Sequence, residues 1–338
     1  MTSVSDPTPA GGDVGGRRDR SESSGLSIRW WPLVAGVVMA LAASLVFSTA
    51  WTGVWGSHPI GWLTLVASIL AGGGLVAFAV RVAPRDRSRL RRWSARAGLV
   101  VCSLLVVGTI FYTAPLPADQ VALDAVRDGG GVSVDDSATR VRLDPDRPKG
   151  TGLAFYPGAR VDPRAYANVL RPVAEAGYPV VIFKQPFNLA ILDGDAASGV
   201  IGASDDDVGR WVVGGHSLGG AMAARYAESE RDELEGLLLY AAYPVNDMSD
   251  RTGLSVLSVS GTNDGLADIA DIDASMAELP PTAEFVRIEG AIHSYFGDYG
   301  EQRGDGTPTL SRQAAQDQIA TATIDHLDSV ERGTAAAD

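Results

Sequence analysis

A serine framed by glycines, Gly215-His216-Ser217-Leu218-Gly219, closes the apolar run Trp211–Gly214 and opens into the alanine-rich segment Ala221–Ala227. A serine hydroxyl is a poor nucleophile until a neighbouring base takes its proton, and the chemistry it then serves is acyl transfer. The spacing has a mechanical meaning. A side chain held on a sharp strand-to-helix turn needs glycines two residues away on either side, because larger residues would clash there. The hydroxyl then stands exposed above the strand end, and the N–H of Leu218, at the start of the helix, is placed to stabilise a developing oxyanion.

A base must accompany the serine, and the chain offers four histidines. His58 and His326 read as incidental, and His216 adjoins the serine and supports the turn. His293, in the loop Gly290–Gly297 directly after the last strand, is the expected base. The group that orients the imidazole should follow a late strand and lie between serine and histidine, which selects Asp264 in Ser260-Gly261-Thr262-Asn263-Asp264-Gly265. An Asp-Gly turn is its competing role, and the order Ser217, Asp264, His293 favours the triad. Pro157-Gly158-Ala159, after an earlier strand, would supply the second oxyanion donor through the Ala159 N–H, with an ordinary Pro-Gly turn as the alternative. Asp268, Asp271 and Asp273 fit neither an EF-hand loop nor a zinc site and read as a solvated helix face. The expected chemistry requires no metal and no organic cofactor.

These residues need elements to hold them. After residue 136, strands at Thr139–Leu143, Gly152–Tyr156, Tyr178–Lys184, Gly236–Ala241, Leu254–Ser260 and Glu284–Glu289 alternate with helices at Pro163–Ala176, after Ser217, near Ala267–Ala277 and from about Leu310 to Val330. The pattern predicts an α/β fold with a mostly parallel sheet covered by helices on both faces. Residues 117–136 read as a Pro/Asp/Gly-rich linker with a short helix around Val121–Val126.

The first part of the chain is a different kind of polypeptide. Residues 1–116 hold 11 Lys/Arg against 5 Asp/Glu, whereas the remainder holds 17 against 36. So acidic a domain argues against a nucleic-acid partner. Residues 1–28 and 331–338 read as disordered tails, and 29–116 as a membrane region with three spans at 31–51, 60–80 and 97–116. Seven arginines against one acid between Arg81 and Arg96 place that loop in the cytoplasm, and Arg17, Arg18, Arg20 and Arg29 keep the N-terminus there. By counting, the catalytic domain of residues 137–330 lies on the extracytoplasmic side of a multi-pass membrane protein. The lone Cys102 sits within a span, so no intramolecular disulfide forms.

The chain resembles the α/β-hydrolase superfamily, and more narrowly the α/β-hydrolase fold-5 group, over residues 137–330. The resemblance is carried by Ala154-Phe155-Tyr156-Pro157-Gly158-Ala159-Arg160-Val161-Asp162-Pro163, Phe187-Asn188-Leu189-Ala190, Gly214–Gly220, Gly261-Thr262-Asn263-Asp264 and Ile292–Gly300. It implies Ser217 as nucleophile, Asp264 as acid and His293 as base. It also disfavours dehalogenases and epoxide hydrolases, which use aspartate as nucleophile, and dienelactone hydrolases, which carry cysteine. Only Pro244–Gly253 separates two late strands where relatives insert a lid, so the cleft should be open. Phe187, Asn188, Tyr295 and Phe296 would edge it, with the core as the competing place for the aromatics, and Ile191–Asp207 would form a rim. The function these features imply is a membrane-anchored serine hydrolase acting on a small-molecule or lipid-like ester. An acyltransferase on the same triad and a non-catalytic interaction protein are the rivals, and the sequence leaves protein partners open.

Overall fold

The computed structural model describes residues 28–81, 88–202, 208–230 and 234–333. The apolar N-terminal part forms α1 (Trp30–Thr49), a short α2 (Trp51–Gly56), α3 (Pro59–Arg81) and α4 (Arg89–Tyr112). Three of them, α1, α3 and α4, are long and apolar enough to cross a membrane. The third is displaced from the expected 97–116. Arginine is a good helix former, and Ser88 caps the N-terminus by accepting the Arg91 N–H, so α4 begins eight residues earlier. It ends early because Pro115 and Pro117, which have no N–H, close off its continuation. The connection between the first two expected spans is mostly the turn of helix α2. Arg85 and Arg87 of the basic loop, the N-terminal arginines Arg17, Arg18 and Arg20, and most of both expected tails lie outside the described residues.

From Gln120 the chain builds an eight-stranded sheet in the order β1-β2-β4-β3-β5-β6-β7-β8. A short helix α5 (Gln120–Ala125) leads into β1 (Val132–Asp136), β2 (Arg140–Pro145) and β3 (Thr151–Tyr156). Helix α6 (Ala167–Glu175), β4 (Val180–Phe183), α7 (Ser198–Ile201), β5 (Arg210–His216), α8 (Leu218–Ser229) and β6 (Gly236–Tyr240) follow. The chain closes with β7 (Ser255–Gly261), α9 (Ile269–Ala274), β8 (Glu284–Ile288) and α10 (Arg312–Glu331). Strands β3 to β8 are mutually parallel, and β2 runs antiparallel to both β1 and β4.

Strand β1 corrects the linker reading of 117–136. Its signal is weak because an edge strand needs only Val132 and Val134 turned inward, and Ser133, Asp135 and Asp136 keep the open edge polar. Gly129, Gly130 and Gly131, all at positive φ, make the tight turn that feeds it.

Alternate strand residues serve opposite faces. Leu153, Phe155, Val180, Ile182, Val212, Leu238 and Val259 pack under α6 and α10. Ala154, Tyr156, Val181, Val213, Leu237 and Leu239 pack under α8. Burial on both faces explains why these strands read as continuous apolar runs. It also fixes one consequence for chemistry, because the loops after β3 through β8 all emerge at the same edge of the sheet.

Candidate active site

Ser217 follows β5 directly, at φ 53° and ψ −124°, a backbone conformation that an L-residue adopts only at a cost. The surroundings hold it there: the Ser217 N–H donates to Tyr240 O at 2.9 Å, and Ser217 O accepts from the Ala221 N–H at 3.1 Å. The flanking glycines are required sterically. A β-carbon at Gly219 would collide with the carbonyl oxygens of Tyr156 and Pro157, and one at Gly215 would collide with the Gly219 backbone. Helix α8 and strand β3 thus approach closely enough to set the serine beside the loop Pro157–Asp162, and Ser217, Leu218 and Ala159 all remain partly exposed.

Asp264 and His293 meet across the loops after β7 and β8. His293 Nδ1 lies 2.8 Å from Asp264 Oδ2, and both side chains are buried. The other carboxylate oxygen, Oδ1, accepts the N–H groups of Leu266 at 2.8 Å and Ala267 at 2.7 Å, which fixes the plane of the carboxylate. The imidazole ring of His293 stands 4.4 Å from that of His216, the residue before the serine. The structure therefore brings the three sequence-derived residues to one edge of the sheet, with Asp264 and His293 directly bonded.

The amides around the serine divide into engaged and free. In the loop after β3, Gly158 N–H donates to the Tyr166 hydroxyl at 2.8 Å, Arg160 N–H to Asn188 O at 2.7 Å and Val161 N–H to Gly158 O at 3.1 Å. Among the described residues neither the Ala159 N–H nor the Leu218 N–H has an acceptor. A helix N-terminus and an unpaired loop amide next to a serine are the donors that a tetrahedral oxyanion needs.

Two residues that sequence reasoning missed hold this arrangement. Asp305 accepts from the N–H groups of His293 at 3.0 Å, Ser294 at 2.8 Å and Gly306 at 2.8 Å, which fixes the start of the histidine turn. Tyr166 is wholly buried; its hydroxyl accepts from Gly158 and lies 2.9 Å from His216 Nδ1, so its own proton points at that nitrogen. Burial, reinforced by the neighbouring His293, holds His216 well below the usual imidazole range, which keeps Nδ1 free to accept. Neither role carries a local motif; only the meeting of distant loops reveals them.

The four expected cleft residues separate. Phe296 is fully buried, stacked on His216 with ring centroids 5.6 Å apart and packed on Tyr240, so it belongs to the core and not to an edge of the cleft. Tyr295 is half-buried beneath the Arg312 guanidinium, 5.0 Å from its ring centre. Arg312 also donates to Ser294 O and Gly297 O, tying the histidine loop to α10. Phe187 and Asn188, both at positive φ, turn toward the N-terminal helices. They line a cavity of about 30 Å³ together with Ser57, His58, Thr64 and Thr113, and Asn188 Nδ2 donates to Ser57 Oγ at 2.8 Å. Of the expected rim, Ala190–Leu192 forms a single turn against α8, and 203–207 lie outside the described residues.

Among the described residues no group of three or more His, Cys, Asp or Glu is arranged to hold a metal ion. Asp268 caps α9 by accepting the Ala270 N–H, and Asp273 pairs with Arg287. His326 sits in the core behind β6, and burial pushes it down to about 4.

Residues 152–317 match the model of the alpha/beta hydrolase family. No curated protein matches the chain. Among solved structures, a predicted CIB-like hydrolase from Thermoplasma acidophilum is similar at 16% identity and TM-score 0.44, over 58% of this chain and 99% of that one. An esterase from Pyrobaculum calidifontis is similar at 19% identity and TM-score 0.45, over 64% and 90%. A monoacylglycerol lipase from Paleococcus ferrophilus is similar at 14% identity and TM-score 0.44, over 57% and 99%.

Proposed function

We propose that the chain is a membrane-anchored serine hydrolase of carboxylic esters, built on a sheet whose residues 152–317 match the alpha/beta hydrolase family. The observation that carries the reading is the buried Asp264–His293 pair, at 2.8 Å, beside a strained serine with two unpaired amides next to it. Ser217 Oγ attacks the ester carbonyl while His293 Nε2 takes its proton. Asp264 holds the Nδ1–H tautomer and stabilises the imidazolium, and the N–H groups of Leu218 and Ala159 bind the oxyanion. Collapse expels the alcohol, which leaves with the proton from His293. Water, deprotonated by the same imidazole, then releases the acid from the serine.

The anchor is formed by α1, α3 and α4, which carry large apolar side chains such as Leu41, Leu70 and Leu104 on their exposed surface. Arg29, Arg81 and Arg91 cluster at the end of this bundle away from the domain, and the positive-inside rule puts that end in the cytoplasm and the domain outside. The test is turnover of short soluble p-nitrophenyl esters by the purified full-length chain. Saturable hydrolysis that Ser217→Ala abolishes supports the proposal, and inertness of the folded native chain toward a broad ester panel overturns it.

A further inference from the structure

The edge of the sheet that carries Ser217 is also the edge bound to the membrane helices. Arg160, one residue past Ala159, donates from Nε and Nη2 to Ala114 O, at 3.1 and 3.0 Å, just beyond the end of α4. Leu116 and the loop after β3 pair through Leu116 N–H to Arg160 O at 2.7 Å and Asp162 N–H to Leu116 O at 2.9 Å. Arg164, held by the buried Asp162 carboxylate, reaches Thr52 O at 2.5 Å, and Asn188 reaches Ser57. These contacts meet the bundle at Trp51, Trp55 and Trp62, whose rings touch in series, the first pair edge to face and the second tilted; tryptophans of this kind mark the level where a helix leaves the hydrocarbon.

The exposed apolar side chains of the domain follow the same geometry. Among the described residues after Tyr112, seven large hydrophobics are exposed, and five of them, Ile191, Leu192, Tyr243, Val245 and Leu266, lie on the loops after β4, β6 and β7. Ile191 and Leu192, 58% and 55% exposed, sit on the turn that packs against α8 and directly follows the residues touching Ser57. Soluble domains scatter such residues singly; gathered around a reaction site and level with an aromatic belt, they mark a surface that meets lipid.

We infer that the mouth of the site faces the adjacent leaflet, and that its substrate is an uncharged acyl ester of the acylglycerol kind, taken from the bilayer through the rim formed by Ile191, Leu192, Tyr243 and Val245. This inference rests on the proposed hydrolase activity. A headgroup without phosphate or carboxylate is favoured by the charge of the domain, where residues 117–338 hold 17 Lys/Arg against 36 Asp/Glu. The rim itself carries Asp193, Asp195 and Asp247; of the cations near it, Arg160 and Arg164 are committed to Ala114 O and to Asp162, and the Arg225 guanidinium lies beside Gly194, which Asp193 and Asp195 flank. The bond broken is the acyl ester; water is consumed, and a fatty acid and the deacylated alcohol are released.

The experiment places the full-length chain in phosphatidylcholine nanodiscs and measures two substrates, a long-chain monoacylglycerol in the bilayer and p-nitrophenyl butyrate in water. In the double variant Leu192→Asp/Val245→Asp, kcat/KM for the bilayer ester should fall by about tenfold or more, while the soluble ester changes less than about twofold and serves as the folding control. Equal turnover of the bilayer ester by the variant, or native turnover of the soluble ester alone, overturns the inference and leaves the hydrolase reading standing. Inertness of the native chain toward both esters removes the hydrolase reading itself. A second measurement does not depend on turnover. In a Cys102→Ser background, a fluorophore on Leu192→Cys should be quenched by nitroxide-labelled lipid, and one on Glu235→Cys, before β6 at the opposite edge, should not. Equal quenching at the two sites overturns the inference.

Discussion

Replacing Asp264 by asparagine tests the tautomer argument with almost no change in shape. Asp264 Oδ1 accepts two backbone N–H groups, from Leu266 and Ala267, at 2.8 and 2.7 Å. In the variant the amide oxygen must take that position, because an NH₂ there would face two donors with nothing to accept. The amide nitrogen is then forced to the Oδ2 position, 2.8 Å from His293 Nδ1, where it donates. The imidazole must accept at Nδ1 and therefore carries its proton on Nε2, the nitrogen that should receive the Ser217 proton. The base is occupied in its resting state, and the expected loss is about 10⁴-fold in kcat, or about 5.5 kcal/mol of transition-state stabilisation. The assay is hydrolysis of a soluble ester over a pH series, with thermal unfolding as the control for fold. Retention of activity within about tenfold of native at pH 7, by a variant with unchanged unfolding, would refute the reasoning.

Tyr166→Phe removes the acceptor of the Gly158 N–H and should slacken the loop that presents Ala159; kcat is expected to fall about tenfold with KM little changed, and a rise in KM alone would contradict this. Asp305→Ala strips the acceptor from the amides of His293, Ser294 and Gly306, so the domain should lose roughly 2–4 kcal/mol in urea unfolding, and a loss below about 1 would show that the turn stands without it. Stability should also depend on His326, whose pKa drops from 6.5 unfolded to about 4 folded. Above pH 6.5 both states are neutral there; as pH falls from 6.5 to about 4 only the unfolded chain gains the proton, so stability falls by roughly 3 kcal/mol. His216, also depressed by burial, acts in the same direction. Urea unfolding between pH 7.5 and 4.5 should show the slope, reduced in His326→Leu; an unchanged slope in that variant would assign it elsewhere.

The strained turn at Ser217 was legible because it is a local steric problem: Gly215 and Gly219 leave their mark within five residues. The pairing of Asp264 with His293 was legible through chain order and their places after late strands. The parallel strands announced themselves as apolar runs because both of their faces are covered. What escaped depends on distant meetings. Asp305 looks like one more acid in a glycine-rich loop until the backbone of His293 arrives beside it. Tyr166 reads as a core aromatic, and its hydroxyl gains meaning only between Gly158 and His216. Phe296 follows His293 closely, yet the turn at His293–Phe296 rotates it into the core against Tyr240. Phe187 and Asn188 were placed at the edge of an open cleft, and the ends of the apolar N-terminal helices nearest the sheet occupy that side. The amphipathic pattern of a segment reports what it buries and not which neighbour covers it.

The central claim is that Ser217 is an activated nucleophile served by His293. Membranes containing the full-length chain, treated with a fluorophosphonate probe, test it most directly, with Ser217→Ala and His293→Ala alongside. The account predicts one labelled serine, mapped to Ser217 by mass spectrometry, and loss of labelling in both variants. A folded native chain that stays unlabelled, or labelling that survives in Ser217→Ala, would contradict it.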